Sequence, residues 1–279
     1  MLFTRGGYLS VPVAFGARIC RVPYITHDSD STSSLTNRLI SGSAKYNAVA
    51  MDSKDYRYPS NKIKVVGIPI SSDFYKIEES TKEQFKSNLN IPSKDKVLFI
   101  IGGGLGSVII NKSMAKISEQ LFSLIPELRI YHVVGMKNFG SMKKKYQAEL
   151  LSKQKVVLFD FINDVYKYSA AADLIITRAG ATNLAEFSIQ GKACIIIPSP
   201  YLTGGHQLKN ADYYKENNAA IVVNEKDLEK NPGILLDNIV KIIENHTLRS
   251  DLEKNIHKLA DPGASEKIAK LILSLSKDV

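Results

Sequence analysis

Three clusters of residues in this 279-residue chain have the types and spacing needed to hold a phosphorylated sugar. The first is Gly102-Gly-Gly-Leu-Gly106, which follows the apolar run Lys96 to Ile101 and precedes a helical pattern. Glycines in such a turn let backbone N–H groups at a helix start approach a phosphate with no Cβ in the way. The second is Arg178-Ala-Gly-Ala-Thr-Asn-Leu-Ala-Glu186, another small-residue turn leading from a strand into a helix. Helical geometry puts Leu184 and Phe187 on the buried side of that helix and Asn183, Glu186 and Gln190 on the other. An ionised Glu186 then offers two acceptor oxygens to a vicinal ribose diol. The third is the polar loop Gly204-Gly-His-Gln-Leu-Lys-Asn-Ala211. Two helix starts sharing two phosphates, a carboxylate for a ribose and a polar loop for hydroxyls suit a nucleotide-sugar.

Other chemistries fit less well. The dinucleotide fingerprint fails at its third glycine, where Ser107 stands, and no acidic residue closes the strand Leu128 to Val134 to take a ribose hydroxyl, which argues against a dehydrogenase. Asp28-Ser-Asp30 spells a short metal-binding motif, but its place between a strand and a helix suits a cleft edge or a helix cap as well. No metal and no cofactor are expected. Cys20 and Cys194 sit in apolar patterns and read as small buried hydrophobes. A net charge of +9 points to an anionic partner. The excess includes Lys137, Lys143, Lys144, Lys145, Lys153 and Lys155, without the interleaved aromatics of a nucleic-acid binder, so a solvated lysine face is the simpler reading.

The elements that must position these clusters are short apolar runs alternating with helical patterns. Strands are expected at residues 22–26, 46–50, 63–66, 96–101, 128–134, 156–159, 174–177, 193–198 and 220–223, a β-α alternation that implies parallel sheets covered on both faces. Ile110, Met114, Ile117, Leu121 and Leu124 form a helical stripe after the first glycine turn. The polar stretch from Ser71 to Ser93 separates the early strands from the later six and sets a boundary near Ser71. Pro262-Gly263 breaks the chain before a last helix with an apolar stripe of Ile268, Leu271, Ile272 and Leu275, which needs a surface to cover. The expected division is residues 1–70, residues 71–263, and a terminal helix over 264–279 that packs back on the first unit. No run approaches the roughly 20 apolar residues of a membrane-spanning helix.

Taken in order along the chain, these motifs resemble the MurG family of GT-B glycosyltransferases. The resemblance rests on Gly6-Gly-Tyr-Leu-Ser-Val-Pro12, His27 and the segment to Leu-Thr-Asn-Arg38, Val66-Gly-Ile-Pro69, Gly102 to Gly106 with Asn111, His132 with Gly135, Phe161-Ile-Asn-Asp164, Ala170 to Asp173, Arg178 to Glu186, and His206-Gln207 with Asn210-Ala211. It implies an α/β GT-B fold with a complete C-terminal Rossmann-like domain and an incomplete N-terminal one. It also implies inverting transfer of GlcNAc from UDP-GlcNAc to an undecaprenyl-linked muramyl-peptide, with no metal, on the cytoplasmic face of an anionic membrane. Carried over by position, Gly103, Gly104, Leu105 and Gly106 meet the diphosphate and Ile162 reads the uracil edge through its backbone. Arg178, Gly180, Ala181, Thr182, Asn183, Leu184, Ala185 and Glu186 hold phosphate and ribose, and His206 and Gln207 contact the sugar hydroxyls. Tyr8 and the loop from His27 to Asp30 line the acceptor side, whereas His132 is expected to be structural.

The chain departs from the family pattern at three places. The family's opening glycine-rich loop, which ends in a histidine, has no counterpart, and Met1 to Tyr8 read as the last part of a strand entering a family motif. The expectation is therefore that Met1 is not the start of a complete enzyme, the rest of the first domain being encoded upstream in the same frame or supplied by a separate polypeptide. Asp30 replaces a family asparagine near the reaction centre and is the candidate for the absent histidine's role as base. Ser71 replaces an arginine at the donor diphosphate. Two competing readings follow: a non-catalytic UDP-sugar-binding subunit, and a GT-B enzyme with another acceptor.

Overall fold

A computed structural model describes residues 1–276. The first sheet contains β1 (Leu2–Thr4), β2 (Tyr24–Asp28), β3 (Tyr46–Val49) and β4 (Ile63–Val65), all parallel and hydrogen-bonded in that order. The second contains β5 (Lys96–Ile101), β6 (Leu128–Val133), β7 (Val156–Phe159), β8 (Leu174–Thr177), β9 (Cys194–Ile196) and β10 (Ile221–Val222), all parallel, in the order β10-β9-β8-β5-β6-β7. The helices of the first half are α1 (Ser10–Ile19), α2 (Leu35–Ile40), α3 (Glu79–Asn88), α4 (Val108–Leu124), α5 (Phe139–Lys143), α6 (Ala148–Ser152) and α7 (Val165–Ala171). Those of the second half are α8 (Ala181–Gln190), α9 (His206–Glu216), α10 (Glu225–Lys230), α11 (Gly233–Glu244), α12 (His246–Lys258) and α13 (Ala264–Ser276).

The continuous apolar strands are buried on both faces because helices cover both. Side chains alternate along β5, so Leu98 and Ile100 join a core with Ile110, Met114 and Leu121 of α4 and Ile239 of α11. Val97, Phe99 and Ile101 enter the opposite core with Leu184 and Phe187 of α8 and Ile256 of α12. The first sheet is thinner. On one face Ala14 and Ala17 of α1 pack with Tyr24 and Ile40. On the other, Ile268 and Leu275 of α13 pack with Ile25, Ala48 and Val66, joined by Leu271 and Ile272. The terminal helix therefore finds its apolar surface on the strands that are most distant from it in the chain. Each valine, leucine or isoleucine so taken from water contributes about 1.5–3 kcal/mol before entropy is counted.

Several local expectations are corrected. Cys20 is exposed, because α1 ends at Ile19 and buries only Ala14 and Ala17, whereas Cys194 is buried in β9 as expected. Leu124 lies at the end of α4, beyond the stripe that Ile110, Met114, Ile117 and Leu121 bury, and is exposed. Gln190 is buried rather than solvent-facing, with its Nε2 donating to the Tyr166 carbonyl at 3.1 Å. The first residues do form a strand, as expected: β1 pairs with β2 at the edge of the first sheet.

Candidate functional site

The order of the second sheet creates a crevice. From β5 the chain moves outward through β6 and β7, then returns to β8 on the other side of β5 and moves outward through β9 and β10. Ligands of open parallel sheets bind at the carboxyl edge where the strand order reverses, here between β5 and β8. β5 runs into α4 through Gly102 to Ser107, and β8 runs into α8 through Arg178 to Gly180, so both helices start at that edge.

The sequence details of each turn explain its shape. Gly106 has φ +74°, and a Cβ there would lie 2.1 Å from the Val134 carbonyl oxygen, so only glycine lets the turn press against the end of β6. Ser107 caps α4, accepting a hydrogen bond from the Ile110 amide at 3.4 Å, which is what the residue at the dinucleotide motif's third glycine does here. Under this turn lies a buried network. His132 Nε2 bonds Asn111 Oδ1 at 3.0 Å, and Asn111 Nδ2 donates to the Val134 carbonyl at 2.9 Å. Because Oδ1 only accepts, Nε2 carries the proton and Nδ1 accepts from the Tyr146 hydroxyl at 2.9 Å. Burial lowers the His132 pKa to about 3, so this histidine is a neutral strut. At α8 the cap is Gly180, which offers no side chain, and the first amides of the helix remain available to an anion.

Around the crevice, Gly103 and Gly104 stand open, with no atom within 4 Å of a Cβ built at either, and Leu105 is 86% exposed. Along α8, Thr182 is exposed, Asn183, Ala185 and Glu186 are half-buried, and Ala181 and Leu184 are buried. Burial raises the Glu186 pKa to about 7. Ile162 is half-buried just beyond β7, and His206 and Gln207 begin α9 beyond β9. Gln207 Oε1 accepts from the Ser199 amide at 2.9 Å, which fixes the loop leading into α9. Arg178 departs from its expected donor contact. Its guanidinium pairs with Glu225 and donates to the Ile197 carbonyl at 3.1 Å, tying β8 to β9 and α10 rather than standing free at the crevice.

The first sheet reaches this edge through the loop after β2. Asn210 of α9, fully buried, joins the two sheets. Its Oδ1 accepts from the Ser31 amide at 2.8 Å, and its Nδ2 donates to Asp30 Oδ1 at 2.8 Å and to the Ala179 carbonyl at 3.0 Å. Lys209 adds an ion pair to Asp55 at 3.1 Å. Between these loops lies a cavity of about 510 Å³ lined by Asp30, Thr32, Ser33, Ser34, Leu35, Arg38, Arg57, Gly204, His206 and Lys209. Asp30 is the carboxylate in its wall.

The glycosyltransferase family 28 C-terminal domain matches residues 97–270. A UDP-N-acetylglucosamine--N-acetylmuramyl-(pentapeptide) pyrophosphoryl-undecaprenol N-acetylglucosamine transferase of Finegoldia magna is 33% identical over 264 residues, 94% of this chain and 70% of the relative. The protein of the same name from Thermoanaerobacter sp. (strain X514) is 32% identical over 97% of this chain and 73% of its own length. The chain belongs to the MurG family. The crystal structure of Acinetobacter baumannii MurG, 24% identical, superposes with a TM-score of 0.78 over 98% of this chain and 72% of that one, which shows the same GT-B fold.

Within this family frame the acceptor-side expectations divide. Asp30 lines the cavity and is held from two sides, its carboxylate by Asn210 and its carbonyl by the Tyr56 hydroxyl at 2.6 Å. His27 does not line the cleft. It is fully buried at the end of β2, its Nε2 bonds the Gly67 carbonyl at 2.9 Å, and burial lowers its pKa. Tyr8 is 81% exposed just before α1 and is not among the residues of the cavity wall. On the donor side, Ser71 is exposed and bonded to Asp73 at 2.7 Å. Asp28 turns away from Asp30 into the interior, accepting from the Ser34 amide at 3.1 Å and from the Tyr58 hydroxyl, so the two carboxylates of the short acidic motif diverge. Neither Arg57 nor the bridge made by Asn210 was expected from the sequence. Asn210 sits in a recognised motif, but Arg57 lies in an irregular segment with no pattern to single it out.

Proposed function

We propose that this chain transfers N-acetylglucosamine from UDP-N-acetylglucosamine to an undecaprenyl-linked muramyl-peptide, with inversion at the anomeric carbon. The observation that carries this reading is the pairing of two helix starts at the β5–β8 crevice with the Asp30 loop, which Asn210 ties to the same edge. The diphosphate lies between the amides that open α4 and α8, and Glu186 accepts hydrogen bonds from the ribose hydroxyls. The backbone at Ile162 reads the uracil edge, and His206 and Gln207 meet the sugar. An acceptor hydroxyl in the neighbouring cavity attacks the anomeric carbon, its proton passes to Asp30, and the bond to the UDP oxygen breaks. Charge developing on that oxygen is stabilised by the fixed amide dipoles of the two helices. In this reading residues 1–70 form the acceptor side and residues 71–263 the donor side.

The setting we infer is an anionic membrane surface. No helix among the described residues is long and apolar enough to cross a membrane. Leu9, Val13, Phe15 and Ile19 on and beside α1 are exposed, and Arg18 and Arg21 lie near them, the mixture of apolar and basic groups that adsorbs to an anionic bilayer.

Calorimetric titration with UDP-N-acetylglucosamine tests the donor site. The parent chain binds, and Glu186→Ala weakens binding by about tenfold or more, the loss of about 1.4 kcal/mol or more. A folded chain that does not bind the donor overturns the reading. Donor binding without turnover, when a lipid-linked acceptor is supplied, favours a non-catalytic UDP-sugar-binding subunit. Equal turnover by Asp30→Asn and the parent removes Asp30 as the base.

A further inference from the structure

The cavity beside Asp30 carries more positive charge than the donor chemistry uses. Its wall includes Arg38, Arg57 and Lys209. Lys209 is matched by Asp55 at 3.1 Å, and Asp30 is bonded to Asn210. The guanidinium groups of Arg38 and Arg57 have no ion-pair or hydrogen-bond partner among the described residues. The backbone that carries Arg57 is nevertheless held in place. It stands between Tyr56 and Tyr58, both buried, whose hydroxyls donate to the Asp30 carbonyl and to the Asp28 carboxylate, and its amide donates to Ser33 Oγ at 3.4 Å. Two unmatched guanidinia with hydroxyls of Thr32, Ser33 and Ser34 beside them are a donor set for phosphate oxygens, which arginine engages two at a time. A volume of about 510 Å³ lies within the range of small-molecule sites.

An apolar stripe begins at the mouth of this cavity. Leu35 lines the wall, and one turn further along α2 Leu39 is, like Leu35, 66% exposed. Leu39 then meets Phe15 of α1 in a small cleft with Arg18. The anion-binding wall thus opens directly onto exposed leucines, an arrangement suited to a ligand with a phosphate group at one end of a hydrocarbon chain.

Building on the acceptor reading above, we propose that Arg38 and Arg57 seat the diphosphate of the lipid-linked acceptor, with its first isoprenyl units lying over Leu35 and Leu39. This places the acceptor sugar between the diphosphate and Asp30 and makes Arg57 a specificity-determining residue for prenyl diphosphate acceptors.

The test is titration of the full chain with geranyl diphosphate, inorganic diphosphate and N-acetylmuramyl-L-alanyl-D-glutamate, with UDP as a parallel probe. Geranyl diphosphate is expected to bind more tightly than inorganic diphosphate. Arg57→Ala and Arg38→Ala each weaken it by about tenfold, while UDP affinity stays within about twofold of the parent. Leu35→Ser with Leu39→Ser removes the preference for the prenylated over the inorganic diphosphate. Undiminished geranyl diphosphate binding in both arginine variants overturns the proposal, as does no binding by the parent. A parallel loss of UDP binding assigns the arginines to the donor and also overturns it. Arginine-dependent binding of the muramyl dipeptide in place of geranyl diphosphate assigns the cavity to a peptide carboxylate and overturns it as well. If UDP fails to bind while geranyl diphosphate binds through Arg57, the donor reading falls and this one stands.

Discussion

Glu186, the residue proposed to hold the donor ribose, has its protonation set by its environment. Burial lifts its pKa to about 7, so the free chain keeps a large protonated fraction near neutrality, whereas a ribose diol is best held by the carboxylate. The sign follows from the direction of the shift. A raised carboxyl pKa means a contribution to stability present below the ordinary glutamate range and lost as pH rises through the folded value. In the proposed donor site the dependence runs the other way, because the ribose contact proposed for Glu186 draws on the ionised form. Affinity for UDP-N-acetylglucosamine is expected to fall as pH drops below about 7, by at most the loss seen in Glu186→Ala, and to level off above it. Titration at several pH values checks this, with Glu186→Gln expected to show no such slope. His132 offers the contrast within the same motif set: it is neutral because it is buried, and its two ring nitrogens are committed to Tyr146 and Asn111.

Among the elements, the packing of α13 and the bridge from α9 carry testable consequences. Gly67, just beyond β4, has φ +83°, and a Cβ there would meet the Cβ atoms of Asp261 and Ala264 at 2.8 and 2.9 Å. Gly67→Ala must both adopt a left-handed backbone and push the turn before α13 off the first sheet. A loss of about 2–4 kcal/mol is expected, read as a lowered denaturation midpoint. Asn210→Ala strands the Ser31 amide and removes the donor to Asp30. A loss of about 1–3 kcal/mol is expected in chemical denaturation, together with a fall in turnover larger than any change in donor affinity. Equal stability and turnover in that variant would show that the two sheets are held together elsewhere.

At the scale of the whole molecule, the proposed membrane setting rests on the charge of +9 together with the exposed apolar face of α1. Sedimentation with vesicles is expected to favour phosphatidylglycerol over phosphatidylcholine, to weaken as salt rises, and to drop further in Phe15→Glu with Ile19→Glu. Salt-insensitive binding to both lipids would mean that charge plays no part. The α/β class, the parallel strands and both helix starts were legible in the sequence, because alternation of apolar runs with helical patterns and glycine turns are local signals. Strands β5, β7 and β8 have the expected bounds for the same reason. His27, Gln190, Arg178 and Cys20 were not legible, because whether a polar side chain faces a cleft, the interior or a partner depends on neighbours remote in the chain. The sequence by itself determined which residue types stand at the helix starts and which family they belong to. Only the tertiary structure decided that β5 and β8 lie side by side, that Asn210 draws Asp30 to their edge, and that Arg38 and Arg57 face one cavity. Those are contacts across tens to hundreds of residues, set by sheet order and packing, and no local pattern encodes them.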